Sequence, residues 1–296
     1  MKKILPIKRI LLLVTLSLIL VSCDSSSDPI NEENLERTKI EMDITSQGNL
    51  ENYNWKNATL VWGEEFNNKN SFNNNWVFEK DQNNLGNKDQ MQLYNEENSQ
   101  VKNGSLNIYA KKIGEGQKKG DYTSSRISGK FAFKYGRLEV NAKFPVGEKN
   151  GIWSKLGLIG DNLDIVGYPD CGEVDIVEYF SSAPNTYSVV LHTAANNGEN
   201  IISSRIALDE VEEDFHVYGI LWTDKYIKFY LGQPDNIIFT LNRPAVVTDS
   251  NWPFDKPFYF LLDMVVGGSY AGAQGVDDSM FPAVMEIDYI RVYHAL

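Results

Sequence analysis

The chain has 296 residues, of which 42% are hydrophobic and 12% aromatic, enough to build one large domain with a substantial core. It carries 28 basic and 40 acidic residues, a formal net charge of -12, so nucleic acid and anionic membrane surfaces are poor candidate partners. The two cysteines, Cys23 and Cys171, leave little scope for disulfide bonding.

The first 22 residues have the features of a secretory signal. Four basic residues precede the apolar run Ile10–Val21, which is too short to span a bilayer comfortably. The run ends in Leu20-Val21-Ser22-Cys23, which resembles the lipobox of bacterial lipoproteins. We therefore expect a lipoprotein signal peptide over 1–22 and a lipid anchor on Cys23, placing the protein in the bacterial cell envelope, at the outer membrane or cell surface. An ordinary signal peptide with a coincidental cysteine is the alternative.

Residues 23–56 are rich in Ser, Asp, Asn and Glu and show little apolar periodicity, which predicts a flexible tether between lipid and domain. Without the signal peptide the chain keeps 24 basic and 40 acidic residues, a formal charge of about -16. With Cys23 lipidated, Cys171 has no disulfide partner. No histidine is adjacent to it in the sequence, so we expect a packed apolar residue rather than a nucleophile.

From Ala58 onward many short β-type runs alternate with Gly, Asn and Pro. The run Gly136–Pro145 places Leu138, Val140, Ala142 and Phe144 on one side and polar residues on the other, as a half-buried strand does. Such runs recur with few helical stretches and no internal repeat. The pattern predicts an all-β fold, an antiparallel sandwich or barrel, in a single domain over 57–296.

The most informative segment is Gly172-Glu173-Val174-Asp175-Ile176-Val177-Glu178, which places three acids in an apolar, β-branched run. On a strand Glu173 and Asp175 share a face, whereas Glu178 would lie on the other. One residue bulged out at Ile176 or Val177 would return Glu178 to the shared face, and bulges are frequent beside active sites.

Glycoside hydrolysis with retention needs two carboxyl groups about 5–5.5 Å apart, one as nucleophile and one as general acid/base. We interpret Glu173 as the nucleophile, Glu178 as the acid/base and Asp175 as the acid that tunes them, because neighbouring carboxyls push each other's pKa values apart. The alternatives are a solvated acidic edge and a calcium loop. Calcium loops of the EF-hand type have Gly and Asn or Asp at alternate positions, which this apolar run lacks.

Some aromatic residues lie beside polar, Gly-rich loops rather than in strand patterns. Rings in such places can stack on sugar faces, and the candidates are Trp153, Tyr168 and Trp252. A position in the core is the alternative for each of them.

Several motifs resemble glycoside hydrolase family 16 over nearly the whole of 57–296. The catalytic pattern of that family matches Glu173–Glu178 in its longer, bulged form, which is typical of laminarinases, agarases, carrageenases and porphyranases. Further segments occur in the family's order, namely Leu60–Phe66, Tyr122–Ile127, Tyr135–Glu139, Phe215–Tyr218 with Trp222, Val265–Gly268, Ala273–Ser279 and Asp288–Tyr293. The last three are especially similar to bacterial laminarinases.

The resemblance implies a concanavalin A-like β-jelly-roll of two curved antiparallel sheets, with substrate across the concave one. It supports the roles given to the three acids. It also implies that Trp153, Arg126 and His192 contact sugar near the cleavage point, although a structural role for His192 stays open. Asn87 is a further candidate, in a loop whose spacing differs from the family's by one residue.

The family often carries one structural calcium ion on the convex face. The matching positions are Glu65, Gly104 through its carbonyl, and Asp288, all of which offer oxygen ligands. The alternative is that Glu65 and Asp288 are surface acids at strand ends. The resemblance implies no cofactor for the chemistry itself.

The chain departs from the family pattern near the expected cleft. After Trp153 the family commonly has Pro-Ala and then a second Trp, where this chain has Ser154-Lys155 and Gly157. Tyr168 replaces the Trp of a Trp-Pro pair, and Asp263 replaces an Asn. The acids are untouched, so we expect the chemistry to survive, while the preference among glucans is open.

These observations predict a surface-tethered, monomeric, retaining endo-glycosidase whose partner is a polysaccharide, β-1,3-glucan of the laminarin type, and not nucleic acid. A hydrolase of agar, porphyran or carrageenan is one alternative, disfavoured by the C-terminal motifs and, for sulfated polymers, by the acidic charge. A non-catalytic glycan-binding lipoprotein is another, but all three acids are present.

Overall fold

The computed structural model describes residues 37–42, 53–79, 89–147 and 149–295. The expected signal peptide over 1–22, the lipidation site Cys23 and the sugar-binding candidate Asn87 lie outside the described residues. No helix in the described ranges is long and apolar enough to cross a membrane.

Strands make up most of the regular structure. In chain order they are β1 (Thr38–Glu41), β2 (Thr59–Glu64), β3 (Trp76–Phe78), β4 (Gln92–Tyr94), β5 (Ser99–Lys102), β6 (Ser105–Lys112), β7 (Tyr122–Ser124), β8 (Arg126–Lys134), β9 (Gly136–Lys143), β10 (Ile152–Gly160), β11 (Glu173–Phe180), β12 (Thr186–His192), β13 (Ile202–Ala207), β14 (His216–Trp222), β15 (Tyr226–Leu231), β16 (Ile237–Asn242), β17 (Phe258–Val266) and β18 (Ala283–His294). The helices are short: α1 (Lys69–Asn75), α2 (Leu163–Val166) and α3 (Gly268–Ala271), with 3-10 turns at Trp55–Asn57, Glu96–Asn98, Gly198–Asn200 and Asp278–Met280.

The strands form two sheets. Sheet I has the order β1-β8-β17-β10-β11-β12-β13, with β3 also on β8, and sheet II has the order β16-β15-β14-β9-β18-β6-β7-β4, with β2 on β18 and β5 on β6. Within the described ranges the pairs are antiparallel apart from β1 with β8 and β4 with β7, which run parallel. The prediction of an all-β sandwich is confirmed, and the two parallel pairs are an addition to it.

The core lies between the sheets and follows the two-residue period of the strands. On β9 of sheet II, Leu138, Val140 and Ala142 are buried as predicted from their alternation. Sheet I contributes Val174 and Phe260 among others, and the Phe260 ring stacks on Trp62 with 5.4 Å between centroids. Because one face of sheet I is used in this way, its other face is free for polar side chains and for a second, smaller buried cluster that includes Ile159, Tyr259 and Leu261.

Part of the segment predicted as a flexible tether is ordered instead. Strand β1 pairs parallel with the edge of β8, and the preceding Arg37 donates from Nε to the Gly129 carbonyl at 3.0 Å. The Arg37 guanidinium also lies 3.5 Å from the centroid of the Tyr259 ring. An unpaired sheet edge offers backbone hydrogen bonds to any short extended segment, which composition alone does not predict. The described structure therefore includes a strand, β1, that lies before residue 57.

Candidate active site

The predicted bulge is present in β11. Its neighbour β10 pairs Leu156 with Val177 and Gly157 with Asp175, so Ile176 is the extra residue in the ladder. On the other side the register of β11 against β12 also shifts between Asp175 and Glu178. This two-against-one irregularity keeps Glu178 on the face that Asp175 and Glu173 use. The interpretation of three acids on one face is thereby confirmed.

The apolar residues between the acids explain why the segment folds in this way. Val174, Ile176 and Val177 all belong to the core between the sheets. Because the bulge lets Ile176 and Val177 both contact the core, the acids on either side of them face away from it. The three carboxylates are nonetheless nearly covered by neighbouring side chains. Buried acids need compensating charge, and the neighbouring strands provide it.

Glu173 is held as a carboxylate. Lys155 on β10 donates from Nζ to Glu173 Oε1 at 2.8 Å. Burial alone would raise the pKa of Glu173, but the positive charges of Lys155, His192 and Arg126 hold it below its usual value. An ionised carboxylate is the form that a nucleophile needs.

The pKa of Glu178 is shifted in the opposite direction to that of Glu173. Burial, and then the negative charges of Asp175 and Glu173, raise its pKa to about 8, although Lys155 acts against them. It is therefore protonated at neutral pH and able to donate that proton. Two carboxyl groups whose environments move their pKa values apart are the arrangement expected of a nucleophile and a general acid.

Asp175 lies between them and is fully buried. Its oxygens are 3.5 Å from His192 Nε2 and 3.6 Å from Lys155 Nζ, which are ion-pair distances rather than hydrogen bonds. Burial and the charge of Glu173 raise its pKa. Its carboxylate also accounts for Gly157, because a Cβ atom at that position would lie 2.6 Å from Asp175 Oδ1. In this structure the Asp175 carboxylate therefore occupies the space that a side chain at position 157 would need.

His192 ends β12 directly opposite Glu173. Its Nδ1 lies 3.1 Å from Asn197 Oδ1, while its other nitrogen faces Asp175. Burial would lower the pKa of His192, but Asp175 and Glu173 raise it. The two acids therefore favour the protonated form of His192, and its proposed contact with sugar stays a prediction.

Arg126 on β8 is bound on two sides. Its Nε donates to Glu79 at 2.5 Å, and a terminal nitrogen donates to Asp263 at 3.0 Å. Asp263 also accepts from the Tyr94 hydroxyl at 3.2 Å. In this arrangement Arg126 fixes the acids around it, and its contact with sugar stays a prediction.

Trp153 lies near one end of the acid set on β10. Its ring stacks on Phe180, with 5.4 Å between centroids, and the exposed Tyr270 of α3 lies 5.5 Å away. Lys155 Nζ is 5.2 Å from the same indole. Trp153 is half-buried and Tyr270 exposed, so together they offer an aromatic surface beside the acids.

The two other aromatic candidates differ in position. Tyr168 is exposed and lies near the acid set, its ring centroid 6.1 Å from that of His192. Trp252 lies in the core instead, packed edge-on against Phe254 with its indole donating to Asp255. With 2% of its surface exposed, Trp252 has no face to offer a sugar, which corrects the cleft interpretation.

Metal binding has two candidate places among the described residues. Ligand atoms of Glu173, Asp175 and His192 lie within 4.8 Å of one another. Lys155 already places its positive charge against the two acids of this group, so the chain itself supplies the cation there. We assign no metal to this group.

The calcium positions expected from the resemblance are on sheet II. Both carboxylate oxygens of Glu65 accept from Arg291 at 2.7 Å. Asp288 accepts from Asn141 at 2.9 Å. Glu65 in this pairing does not fit a calcium ligand, because a cation would have to displace the guanidinium.

Comparison with known proteins identifies the family of the chain. The model of the glycosyl hydrolases family 16 matches residues 86–291. The chain belongs to this family. It is a glycoside hydrolase with the family's β-jelly-roll fold.

Three relatives show how far the similarity extends. A beta-glucanase from Rhodothermus marinus is 32% identical over 250 residues, covering 79% of this chain and 84% of the relative. The structure of a laminarinase from Flavobacterium sp. UMI-01 has a TM-score of 0.72 at 42% identity, covering 80% of this chain and all of that one. A laminarinase catalytic domain from Thermotoga maritima MSB8 has a TM-score of 0.71 at 34% identity, covering 81% of this chain and 99% of that one.

Sequence reasoning missed two features of the site. Tyr270 was outside every motif, although its position after Val266-Gly267-Gly268 could have suggested it. In the sequence Lys155 differs from the family pattern, which by itself assigns it no role. Its alternation with Trp153 on a predicted strand was the available signal that it would face the acids.

Proposed function

We propose that this family 16 hydrolase is a retaining endo-glycosidase that cuts β-1,3-glucan of the laminarin type by double displacement. The observation that carries the proposal is the β11 bulge, which places Glu173 and Glu178 on one face with opposite protonation tendencies. The names of the beta-glucanase and laminarinase relatives support the choice of glucan.

In the first step a carboxylate oxygen of Glu173 attacks the anomeric carbon while the bond to the leaving oxygen breaks. Glu178 transfers its proton to that oxygen, so the leaving sugar departs neutral. The product on the enzyme is a glycosyl ester of Glu173, and Glu178 is now a carboxylate.

In the second step Glu178 takes a proton from a water molecule, whose oxygen attacks the anomeric carbon from the face that the leaving group vacated. The ester bond breaks and returns Glu173 as a carboxylate. Two inversions at one carbon give net retention, and both glutamates return to their starting protonation states.

Reducing-end release from laminarin, mixed-linkage glucan and agarose, with product analysis, tests the substrate. We expect fastest release from laminarin, with oligosaccharides of several lengths early in the reaction, as endo cleavage gives. Preferred cleavage of agarose would establish the galactan alternative. Binding of laminarin oligosaccharides without any hydrolysis would establish the glycan-binding alternative.

We also propose that Cys23 carries a lipid that anchors the domain at the cell surface. The support is the order of three features in the first residues: basic residues, then an apolar run, then the segment Leu20-Val21-Ser22-Cys23. Metabolic labelling with a fatty acid in the wild-type chain and in Cys23→Ala tests this. Label retained in Cys23→Ala would overturn it.

The calcium ion remains a prediction, with the Gly104 carbonyl and Asp288 as its remaining candidate ligands. Melting of the mature chain in calcium and in a chelator tests it, because an ion that binds only the folded state raises the melting temperature. Equal melting temperatures in the two conditions would contradict it.

A further inference from the structure

Lys155 is the unusual residue of the site. Lysine is seldom buried, yet this side chain is only 13% exposed. In the strand register it lies directly opposite Glu178 on β11 and Asp263 on β17. Its ammonium lies 2.8 Å from Glu173 and 3.6 Å from Asp175. One lysine therefore pairs with Glu173 and Asp175 and occupies the strand position opposite Glu178.

The route of the Lys155 side chain depends on Gly157. The residue of β10 opposite Glu173 is Ile159, four positions beyond Lys155, which is about 13 Å along a strand. The side chains of Lys155 and Glu173 must therefore extend toward each other past the position of Gly157. Glycine places no side chain in that path.

The charge balance of double displacement explains what such a lysine can do. Before the first step Glu173 is negative and Glu178 carries its proton. After it, Glu173 is a neutral ester and Glu178 has become negative. The number of negative charges in the acid set is unchanged, but one charge has moved from Glu173 to Glu178. A cation within reach of both glutamates compensates that charge in both states.

We propose that Lys155 is a positioning residue that serves as the shared counter-ion of Glu173 and Glu178, pairing with Glu173 before attack and with Glu178 in the glycosyl-enzyme. The inference rests on the proposed double displacement. Register opposite Glu178 and a hydrogen bond to Glu173 are the two observations that carry it.

The other basic residues near the three acids, Arg126 and His192, pair with other carboxylates or with only one of the three. Arg126 is held by Glu79 and Asp263, and His192 lies against Asp175 at the far strand. The groups that face Lys155 or the two glutamates are Asp175 on β11, Asp263 on β17, Arg126 on β8, His192 on β12 and Tyr168 in the segment before β11. Among Lys155, Arg126 and His192, it is Lys155 that lies opposite Glu178 in the strand register and donates a hydrogen bond to Glu173.

Removing the positive charge of Lys155 should change the pKa values of Glu173 and Glu178 in the same direction. Lys155 lowers the pKa of Glu173 and also opposes the rise in the pKa of Glu178. Without it both pKa values increase. Since activity needs Glu173 ionised and Glu178 protonated, the acid and alkaline limbs of the activity profile both move to higher pH.

The experiment compares wild type with Lys155→Met and Lys155→Gln, and uses Lys155→Arg to restore the charge. We expect the apparent pKa values of both limbs of the kcat/KM profile to increase by about one pH unit or more in the Met and Gln variants. This is the size of shift that an opposite charge within a few ångströms causes. The Arg variant should return both limbs toward wild type. Lys143→Met is the matched control, because Lys143 pairs with Glu286 at 2.7 Å on sheet II.

A second measurement does not depend on turnover. Carbon-13 NMR of labelled glutamate carboxyls follows the ionisation of Glu173 and Glu178 directly, with assignments from Glu173→Gln and Glu178→Gln. Both titrations should move upward in the charge-free variants. If either titration stays at its wild-type position in Lys155→Gln, the shared counter-ion is refuted, even where turnover falls. If wild type cuts no polysaccharide, the proposed function fails and the NMR result still decides the role of Lys155.

Discussion

The outward-facing charges of the two sheets are arranged in different ways. On sheet II, in the described residues, Glu65 has its own partner in Arg291 and Glu286 has its own in Lys143, each at 2.7 Å. On sheet I, Glu173, Asp175 and Glu178 depend largely on one lysine and lie almost fully buried. Acids that are paired one to one with basic residues contribute to the stability of a surface. Buried acids that outnumber the neighbouring basic residues have perturbed pKa values, and such groups can exchange protons with a substrate.

The largest effect should come from removing either of the two carboxylates to which we assign the chemistry. Glu173→Gln deletes the proposed nucleophile and Glu178→Gln deletes the proposed proton donor, so turnover of laminarin should fall at least about 10³-fold in each, within the range seen for such groups. Initial rates of reducing-end release provide the measurement, with Glu286→Gln on sheet II as the control. Near-wild-type rates in either site variant would show that the site is assigned wrongly.

Gly157→Ala tests how tightly the acids are placed. The added methyl group would lie 2.6 Å from Asp175 Oδ1 and 3.3 Å from the Val174 carbonyl, so the acid set must shift. We expect a fall in kcat of about 10²-fold, the cost of a displacement near 1 Å in an active site. Gly63→Ala is the control, because its methyl group would meet neighbours at 3.6 Å or more. Unchanged kcat in Gly157→Ala would mean that Asp175 tolerates displacement.

The activity of wild type should give a bell-shaped pH profile. Glu173 has a lowered pKa, so the active ionised form persists until the pH falls below the usual range of a glutamate. Glu178 keeps its proton until the pH approaches its pKa of about 8, so activity declines above that value. Measurement of kcat/KM from acid to alkaline pH checks both limbs. An alkaline limb near the ordinary glutamate pKa would contradict the environment described for Glu178.

Trp153 should affect binding more than chemistry. Its ring lies beside the acids and stacks on Phe180, so Trp153→Ala should raise KM for laminarin about fivefold, as loss of one aromatic contact of about 1 kcal/mol predicts. Tyr270→Ala is a companion variant with a smaller expected rise, because its ring is the more exposed of the pair. An unchanged KM in Trp153→Ala would show that this aromatic surface does not take part in substrate binding.

The smallest effect should come from the sheet II pairs. Arg291→Met removes the partner of Glu65, whose side chain is 42% exposed, so it should lower the free energy of unfolding by only about 0.5 kcal/mol. Chemical denaturation provides the measurement, and kcat should not change. A loss of several kcal/mol would show that this pair supports the fold as strongly as a buried network does.

The sequence predicted the sandwich and the placement of three acids on one face because both follow from local pattern. Alternation in Gly136–Pro145 reports which side of a strand is buried, and the spacing from Asp175 to Glu178 requires a bulge if both acids serve one site. Trp252 shows the limit of such reasoning, because an aromatic residue in a Pro-rich loop can pack inward or face a cleft with the same local sequence. Its burial depends on Phe254 and Asp255 beside it and on the core they join.

The role of Lys155 could not be predicted for a related reason. Its partners are on two different strands, β11 and β17, and strand register decides which acids it meets. The β1 edge strand was missed because its pairing with β8 comes from an available sheet edge and not from apolar periodicity.

The stereochemistry of hydrolysis tests most directly whether Glu173 and Glu178 act on one bond as nucleophile and acid. Proton NMR of the anomeric hydrogens during the first minutes of laminarin cleavage shows which anomer forms before mutarotation. A β-anomer appearing first is the predicted outcome. An α-anomer appearing first would mean that water attacks directly, with no covalent intermediate on Glu173.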